Sequence, residues 1–129
     1  YPFAQQLNTG LNFTSGEVSA LFGPNKNSSE LQVSAPIQPG NSGGPVINRF
    51  GNVIGIVSDT ANSLKLQKNG ALPQNISFAK NRNTISAFLD ASSASYKLGD
   101  SRKELSINEL TTAAKDYVVQ VGCFRSLPD

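Results

Sequence analysis

Residues 38–45, Gln-Pro-Gly-Asn-Ser-Gly-Gly-Pro, place one hydroxyl among three glycines and between two prolines. Glycine allows positive φ and lets a ligand approach main-chain amides, while Pro39 and Pro45 fix φ on either side. Successive amides from Gly40 to Ser42 are then able to converge on one oxygen. An oxyanion hole needs donors held in this way, and the Ser42 hydroxyl lies next to them.

The residues on either side of this loop decide between the kinds of site that use a glycine-rich segment with a serine. A phosphate-binding P-loop needs Gly-Lys-Ser/Thr at the start of a helix, but residues 45–47 are Pro-Val-Ile and no lysine is near. A nucleophile elbow needs a strand before the serine and a helix after it. Residues 45–48 and 53–58 are instead rich in β-formers and flank a turn at 49–52, which predicts a hairpin. The alternative is a tight glycine-rich turn that carries an incidental serine.

Three patches in order carry a family resemblance: Thr-Ser-Gly-Glu-Val-Ser-Ala-Leu at 14–21, the segment 35–48 with Gly-Asn-Val-Ile-Gly-Ile at 51–56, and Asn-Ile-Ser-Phe-Ala at 75–79. Together they resemble the second β-barrel of trypsin-like serine proteases, and within that superfamily the HtrA-like branch. The resemblance covers about residues 1–90. It implies a mainly β fold, an antiparallel chymotrypsin-like barrel that is the second barrel of a double-barrel enzyme.

The resemblance also assigns roles to single residues. Ser42 corresponds to the nucleophile, and the amides of Gly40 and Ser42 correspond to the oxyanion hole. Ile37 and Ile76 match the walls of the primary specificity pocket, which implies small or medium aliphatic side chains before the scissile bond. Ser77 stands where the family often has glycine, and it is expected to narrow the groove along which substrate backbone pairs.

Asn41 stands where digestive-type members carry an aspartate that pairs with a freed N-terminal ammonium. An asparagine carries no such charge, so activation by N-terminal cleavage is not implied.

The chain contains no histidine. A serine hydroxyl needs a base near neutral pH, and in the family the histidine and aspartate come from the first barrel. The opening Tyr-Pro-Phe resembles a mid-chain turn of the family, so we expect an N-terminal half that carries both residues, and an isolated chain without activity. A Ser-Lys dyad is the only internal alternative, but the seven lysines lie in polar or helical contexts, and a lysine base needs burial. The resemblance requires no cofactor and implies a periplasmic or secreted location.

In the C-terminal third, the spacing of the apolar residues changes to that of a helix. Apolar residues at 85, 88 and 89, with Asn83 as a candidate N-cap, predict a closing helix to about Ala94. A Ser-x-x-Glu capping box at 106–109 predicts a second helix to about residue 116, and residues 117–124 predict an end strand. Residues 1–94 are therefore assigned to the barrel and 95–129 to a helix-strand extension. Cys123, the only cysteine, is interpreted as a small buried hydrophobe, or as pairing with a cysteine elsewhere.

Composition restricts the partners. The net charge is +2 and no basic run or aromatic-interleaved stripe occurs, so nucleic acid is not expected. No apolar run approaches the length of a membrane span. The expected partners are a polypeptide substrate and the first barrel, and a lone second barrel is expected to self-associate through its exposed apolar face or through residues 117–124. Residues 59–74 predict a long polar loop. The rival hypothesis is a protease-like domain that binds peptides or proteins without cleaving them.

Overall fold

The computed structural model describes residues 12–38, 40–60 and 76–126, without the side chains of residues 59 and 60. Five strands follow one another along these segments: β1 (Val18–Ala20), β2 (Glu30–Val33), β3 (Pro45–Ile47), β4 (Val53–Thr60) and β5 (Ser77–Asn81). Two α-helices follow, α1 (Arg82–Ala91) and α2 (Ile107–Lys115). A short 3-10 turn, Pro24–Lys26, lies between β1 and β2.

The strands form one antiparallel sheet with the order β1-β2-β5-β4-β3. The central strand β5 pairs with β2 on one side, where Leu31 lies opposite Ala79, and with β4 on the other, where Val57 lies opposite the same alanine. This arrangement explains why β5 is buried at three successive positions, Ser77 to Ala79. The predicted fold class is confirmed: the described residues form a mainly antiparallel sheet with two helices, consistent with a chymotrypsin-like β fold.

The core of the described residues combines the sheet with the second helix. Its buried apolar side chains come from the three inner strands and from two positions of α2 that are one turn apart: Leu31, Val33, Val57, Phe78, Ala79, Leu110 and Ala114. Because residues four apart share one helix face, Leu110 and Ala114 present a single buried stripe. Residues beyond 94 therefore contribute directly to the packed interior.

The hairpin β3–β4 forms as predicted, with a turn at 48–51 closed by the Gly51 amide donating to the Asn48 carbonyl at 3.0 Å. Its register carries an irregularity between Val46 and Ile47, so β4 has one unmatched residue there. The Thr, Val and Phe residues of the stretch 12–21 predict a strand with a bend at Ser15-Gly16, but the first strand is shorter than that. Only Val18–Ala20 pairs, and it is exposed over most of its length. The predicted loop at 59–74 lies mostly outside the described residues.

Both helices form, and one of their predicted caps is wrong. Helix α2 begins after Ser106, and the capping box with Glu109 is present as predicted. Helix α1 begins earlier than predicted, because Asn81 rather than Asn83 is the N-cap and its Oδ1 accepts from the Thr84 amide at 3.0 Å. It ends at Ala91 instead of continuing to Ala94. The apolar pattern begins at residue 85 and therefore gave no signal for the first turn.

The end strand predicted at 117–124 does not form. These residues have no regular secondary structure, and the side chains of Val119, Val121 and Phe124 are 73%, 89% and 96% exposed. A β-rich sequence becomes a strand only where a sheet edge pairs with it, and no such pairing reaches this segment within the described residues. Cys123 lies in the same segment and is an exposed free thiol, so its interpretation as a buried hydrophobe is wrong.

Candidate active site

Two consecutive turns, which share Asn41, build the loop around Ser42. The Asn41 amide donates to the Gln38 carbonyl at 3.0 Å, and the Gly44 amide donates to the Asn41 carbonyl at 2.9 Å. The third residue of each turn is a glycine with positive φ, +98° at Gly40 and +84° at Gly43. Positive φ at the third position is the type II geometry, which strongly favours glycine. The glycine spacing of the sequence therefore specifies this double turn.

Strand β4 holds the second turn in place. The Gly43 amide donates to the Val57 carbonyl at 2.8 Å, and the Val57 amide donates to the Gly44 carbonyl at 2.9 Å. A side chain at Gly44 has no room, because a Cβ built there lies 2.9 Å from the Asn41 carbonyl oxygen, whereas nothing lies within 4 Å of a Cβ at Gly43. The loop is thus fixed on its inner side and open on its outer side.

Ser42 occupies the second position of that turn, and it is exposed. The neighbouring amides of Asn41, Gly43 and Gly44 all donate to carbonyls of the chain. Within the described segments, by contrast, neither the amide nor the hydroxyl of Ser42 has a hydrogen-bond partner. The loop therefore presents one donor and one potential nucleophile together toward solvent, on a backbone that internal hydrogen bonds hold in place.

The two segments that carry Ile37 and Ile76 lie side by side. Val33 pairs with Ser77 in the sheet, and the Ser77 hydroxyl donates to the Ala35 carbonyl at 3.3 Å. Both isoleucines are half-buried. Ser77 itself is only 3% exposed, so its hydroxyl joins the two segments inside the protein instead of narrowing an open groove as expected.

The lysines of the described part offer Ser42 no base. Lys80 Nζ donates to Glu30 Oε1 at 2.6 Å, an ion pair that links β5 to β2, and the Ser58 hydroxyl donates to the same oxygen at 3.5 Å. The Lys80 ammonium is therefore already paired with a carboxylate. Lys26, Lys97, Lys103 and Lys115 are exposed. Lys65 and Lys68 lie outside the described residues. Since the chain has no histidine, an imidazole for Ser42 has to come from outside it.

No group of three or more His, Cys, Asp or Glu side chains in residues 12–38, 40–60 and 76–126 is arranged to hold a metal ion. Neither of the helices in those segments has the length and apolar character that crossing a bilayer requires.

Comparison with known proteins shows which proteins this loop is similar to. The model of the trypsin-like peptidase domain matches residues 1–56, a segment that includes Ser42 and both turns. The chain is therefore related to trypsin-like peptidases over the part that carries the candidate site.

Two individual proteins are similar to this chain. Residues of this chain are 45% identical over 60 positions to the serine protease Do-like HtrB of Bacillus subtilis, which covers 46% of the chain and 12% of that protein. They are 41% identical over 124 positions to the uncharacterized protein y4bJ of Sinorhizobium fredii, which covers 95% of the chain and 20% of that protein. The predicted resemblance to the HtrA-like branch is confirmed. The chain spans a fifth or less of the length of these relatives. No solved structure matches it.

Sequence reasoning identified the site loop but missed what surrounds it. Nothing in the local sequence indicates that Val57 holds the loop through two hydrogen bonds, because that partner is 13 residues away in the chain. The Glu30–Lys80 pair was missed for the same reason. Its only signal is a charged residue in each of two β-rich segments, and pairing those segments requires the sheet order.

Proposed function

We propose that this chain is the C-terminal β-barrel domain of an HtrA-like, trypsin-like serine endopeptidase. Residues 1–94 form the barrel and its closing helix, and residues 95–129 form an extension. In this proposal Ser42 is the nucleophile, and the amides of Gly40 and Ser42 stabilise the oxyanion. The observation that carries the proposal is the exposed Ser42 on a double turn whose Asn41, Gly43 and Gly44 amides donate to carbonyls of the chain, within a segment that matches the family model of the trypsin-like peptidase domain.

The proposed chemistry is acyl transfer. Ser42 Oγ attacks the carbonyl carbon of the scissile peptide bond while a histidine supplied by another part of the protein takes the hydroxyl proton. The carbonyl oxygen becomes negatively charged and accepts hydrogen bonds from the two amides. The histidine then returns the proton to the leaving amine, which frees the first product and leaves an acyl group on Ser42. Water, deprotonated by the same imidazole, hydrolyses this ester and regenerates the serine.

The proposed specificity follows from the pair Ile37 and Ile76. Both side chains are half-buried, and they lie on adjacent segments joined by the Ser77 hydrogen bond. Apolar walls carry no charge to pair with a lysine or arginine of the substrate, and they gain free energy from burying methylene groups. We therefore expect cleavage after small or medium aliphatic residues and poor cleavage after charged ones.

The experiment uses a fluorophosphonate probe, which reacts with activated serines. The full polypeptide of the proposed enzyme, which includes this chain, is compared with its Ser42→Ala variant and with the 129-residue chain alone. We expect labelling of the full polypeptide, loss of labelling in the variant, and no labelling of the chain alone, since a serine without a base is a weak nucleophile. Labelling of the chain alone at Ser42 contradicts the requirement for an external histidine.

A folded full polypeptide that is not labelled contradicts the catalytic proposal and favours the rival, a protease-like domain that binds peptides. The two are separated by adding an aliphatic peptide aldehyde, which forms a hemiacetal only with a reactive serine. Binding that survives Ser42→Ala without loss of affinity supports the binding domain. Binding that the substitution abolishes supports the peptidase.

A further inference from the structure

The segment from Gly99 to Val118, here named the C-terminal arm, docks on the turn of the β3–β4 hairpin. The Leu105 amide donates to the Arg49 carbonyl at 2.9 Å, and Asn52 Nδ2 donates to the Ser101 carbonyl at 2.9 Å. Both hydrogen bonds join the arm to residues about 50 positions earlier in the chain. The arm is therefore attached to this turn at two separate points.

Apolar packing accompanies these hydrogen bonds. A Cβ built on Gly51 lies 3.2 Å from Leu105 Cδ1 and 3.9 Å from Leu110 Cδ2, so both leucines lie against the turn. Leu110 is buried, and Leu105 is half-buried. At the start of the arm, a Cβ built on Gly99 lies 2.6 Å from Asn52 Oδ1, so the Gly99 backbone directly contacts that side chain. The contact is a packed interface with its polar groups paired.

The turn is closed by hydrogen bonds of its own, so contacts with the C-terminal arm fix the position of the whole turn. Asn48 Oδ1 accepts from the amides of Phe50 and Asn52, both at 3.0 Å, and the Asn48 amide donates to the Asn52 carbonyl at 2.9 Å. An asparagine that bonds two amides ahead of it closes the turn independently of the strands. Fixing the turn therefore fixes the point at which β3 and β4 start to pair.

The hairpin strands alone specify their register weakly. Strand β3 has three residues, lies at the edge of the sheet, and has no fully buried residue. It begins with a proline, which has no amide to donate, and its pairing is irregular between Val46 and Ile47. Register is strongly specified only where one face is buried, and otherwise the turn has to set it. A shift of one residue would separate Gly43 and Gly44 from Val57, and these pairs hold the Ser42 loop.

We infer that the C-terminal arm is a positioning element for Ser42, with Asn52 and Leu105 as its main contacts, acting through the register of the β3–β4 hairpin. The arm lies beyond the segment that the peptidase model matches. The alignment with the Sinorhizobium protein covers 95% of this chain, so it includes most of the arm, and the two parts occur together in that protein as well. The inference rests on the proposed role of Ser42.

Amide hydrogen exchange of the 129-residue chain, followed by NMR, tests this inference. The variants are Asn52→Ala and Leu105→Ala, and the matched control is Arg49→Ala. Arg49 and Glu104 are both 70% exposed and 4.0 Å apart, and the Arg49 carbonyl that accepts from Leu105 survives the control substitution. We expect each variant to raise exchange at the Gly43 and Val57 amides by tenfold or more, with exchange in β5 unchanged. The control should leave all of them unchanged.

Three results would overturn the inference: faster exchange confined to Gly51 and its neighbours, an equal rise in every strand, or complete unfolding of both variants. The first means that the arm protects only the turn, and the other two mean that it acts on general stability. The measurement requires no catalysis. If the expected pattern appears and Ser42 in the full polypeptide does not react with the fluorophosphonate, the peptidase proposal fails while the positioning of the loop stands. If Ser42 reacts equally well with and without Asn52→Ala, the peptidase stands and the positioning role fails.

Discussion

Replacing Lys80 by methionine isolates the free energy of the ion pair that joins β2 to β5. Glu30 is 9% exposed, and its carboxylate accepts a 2.6 Å hydrogen bond from Lys80 Nζ. Methionine keeps the length and most of the volume of the lysine stem, so the substitution removes the charge with little change in packing. Glu30 is then left as a buried carboxylate, and the donor that remains to it in the described part of the chain is the Ser58 hydroxyl, at 3.5 Å.

The magnitude follows from the geometry. At 2.6 Å and an effective dielectric constant near 20, the gross attraction is about 6 kcal/mol, most of which offsets the desolvation of the two charges. Removing one partner of a buried pair costs roughly 3–5 kcal/mol. The Lys80 side chain is 43% exposed, so water reaches the site, and we expect a loss near the lower limit, about 3 kcal/mol.

Urea unfolding at neutral pH, followed by circular dichroism, measures this loss. The double variant Glu30→Gln, Lys80→Met removes both charges and is expected to recover at least half of it, because no uncompensated charge remains buried. The single variant Glu30→Gln completes a double-mutant cycle, and we expect a coupling of at least about 1 kcal/mol. A loss under about 0.5 kcal/mol for Lys80→Met, or a coupling near zero, would refute the argument that burial gives this pair its energy.

Four further predictions concern the loop, the helices and the surface. Gly43→Ala is expected to lower the free energy of unfolding by about 1–2 kcal/mol, because an alanine there has to adopt a positive φ. Gly44→Ala places a Cβ 2.9 Å from the carbonyl that closes the turn, so it should also speed amide exchange throughout the loop, which NMR measures. Asn81→Ala should cost about 1–2 kcal/mol in urea unfolding through loss of the α1 cap, and Asn83→Ala, which is exposed, should cost less than half of that. Hydrogen bonds from the capping-box residue Ser106 lower the pKa of Glu109. The stabilisation that Glu109 gives to α2 is therefore fully present above the ordinary carboxyl pKa and is lost as pH falls through the lowered value. Helicity measured by circular dichroism should change less over that pH range in Glu109→Gln than in the unsubstituted chain. Sedimentation at tens of micromolar should show self-association of the isolated chain, and a concentration-independent monomer would contradict it.

Several features of this protein depend only on residues that are close together in the sequence. Glycines at 40 and 43 specify two turns with positive φ, and this requirement belongs to the residues themselves rather than to any distant partner. The hairpin that follows has its strands and turn within 16 residues, so its pattern was complete in one stretch of sequence. The capping box at Ser106 and Glu109 is also local, since both hydrogen bonds span three residues.

Only the tertiary structure decided the features that depend on distant partners. Residues 117–124 have the composition of a strand, but pairing requires a free sheet edge within reach, and sequence does not reveal one. Cys123 lies in this segment, so the sequence alone did not determine that its thiol is exposed. The support of the Ser42 loop by Val57, and the docking of the C-terminal arm on the hairpin turn, join residues 13 to about 50 positions apart. Such contacts depend on which strands become neighbours, and the free energy that selects those neighbours comes from burying the whole core at once.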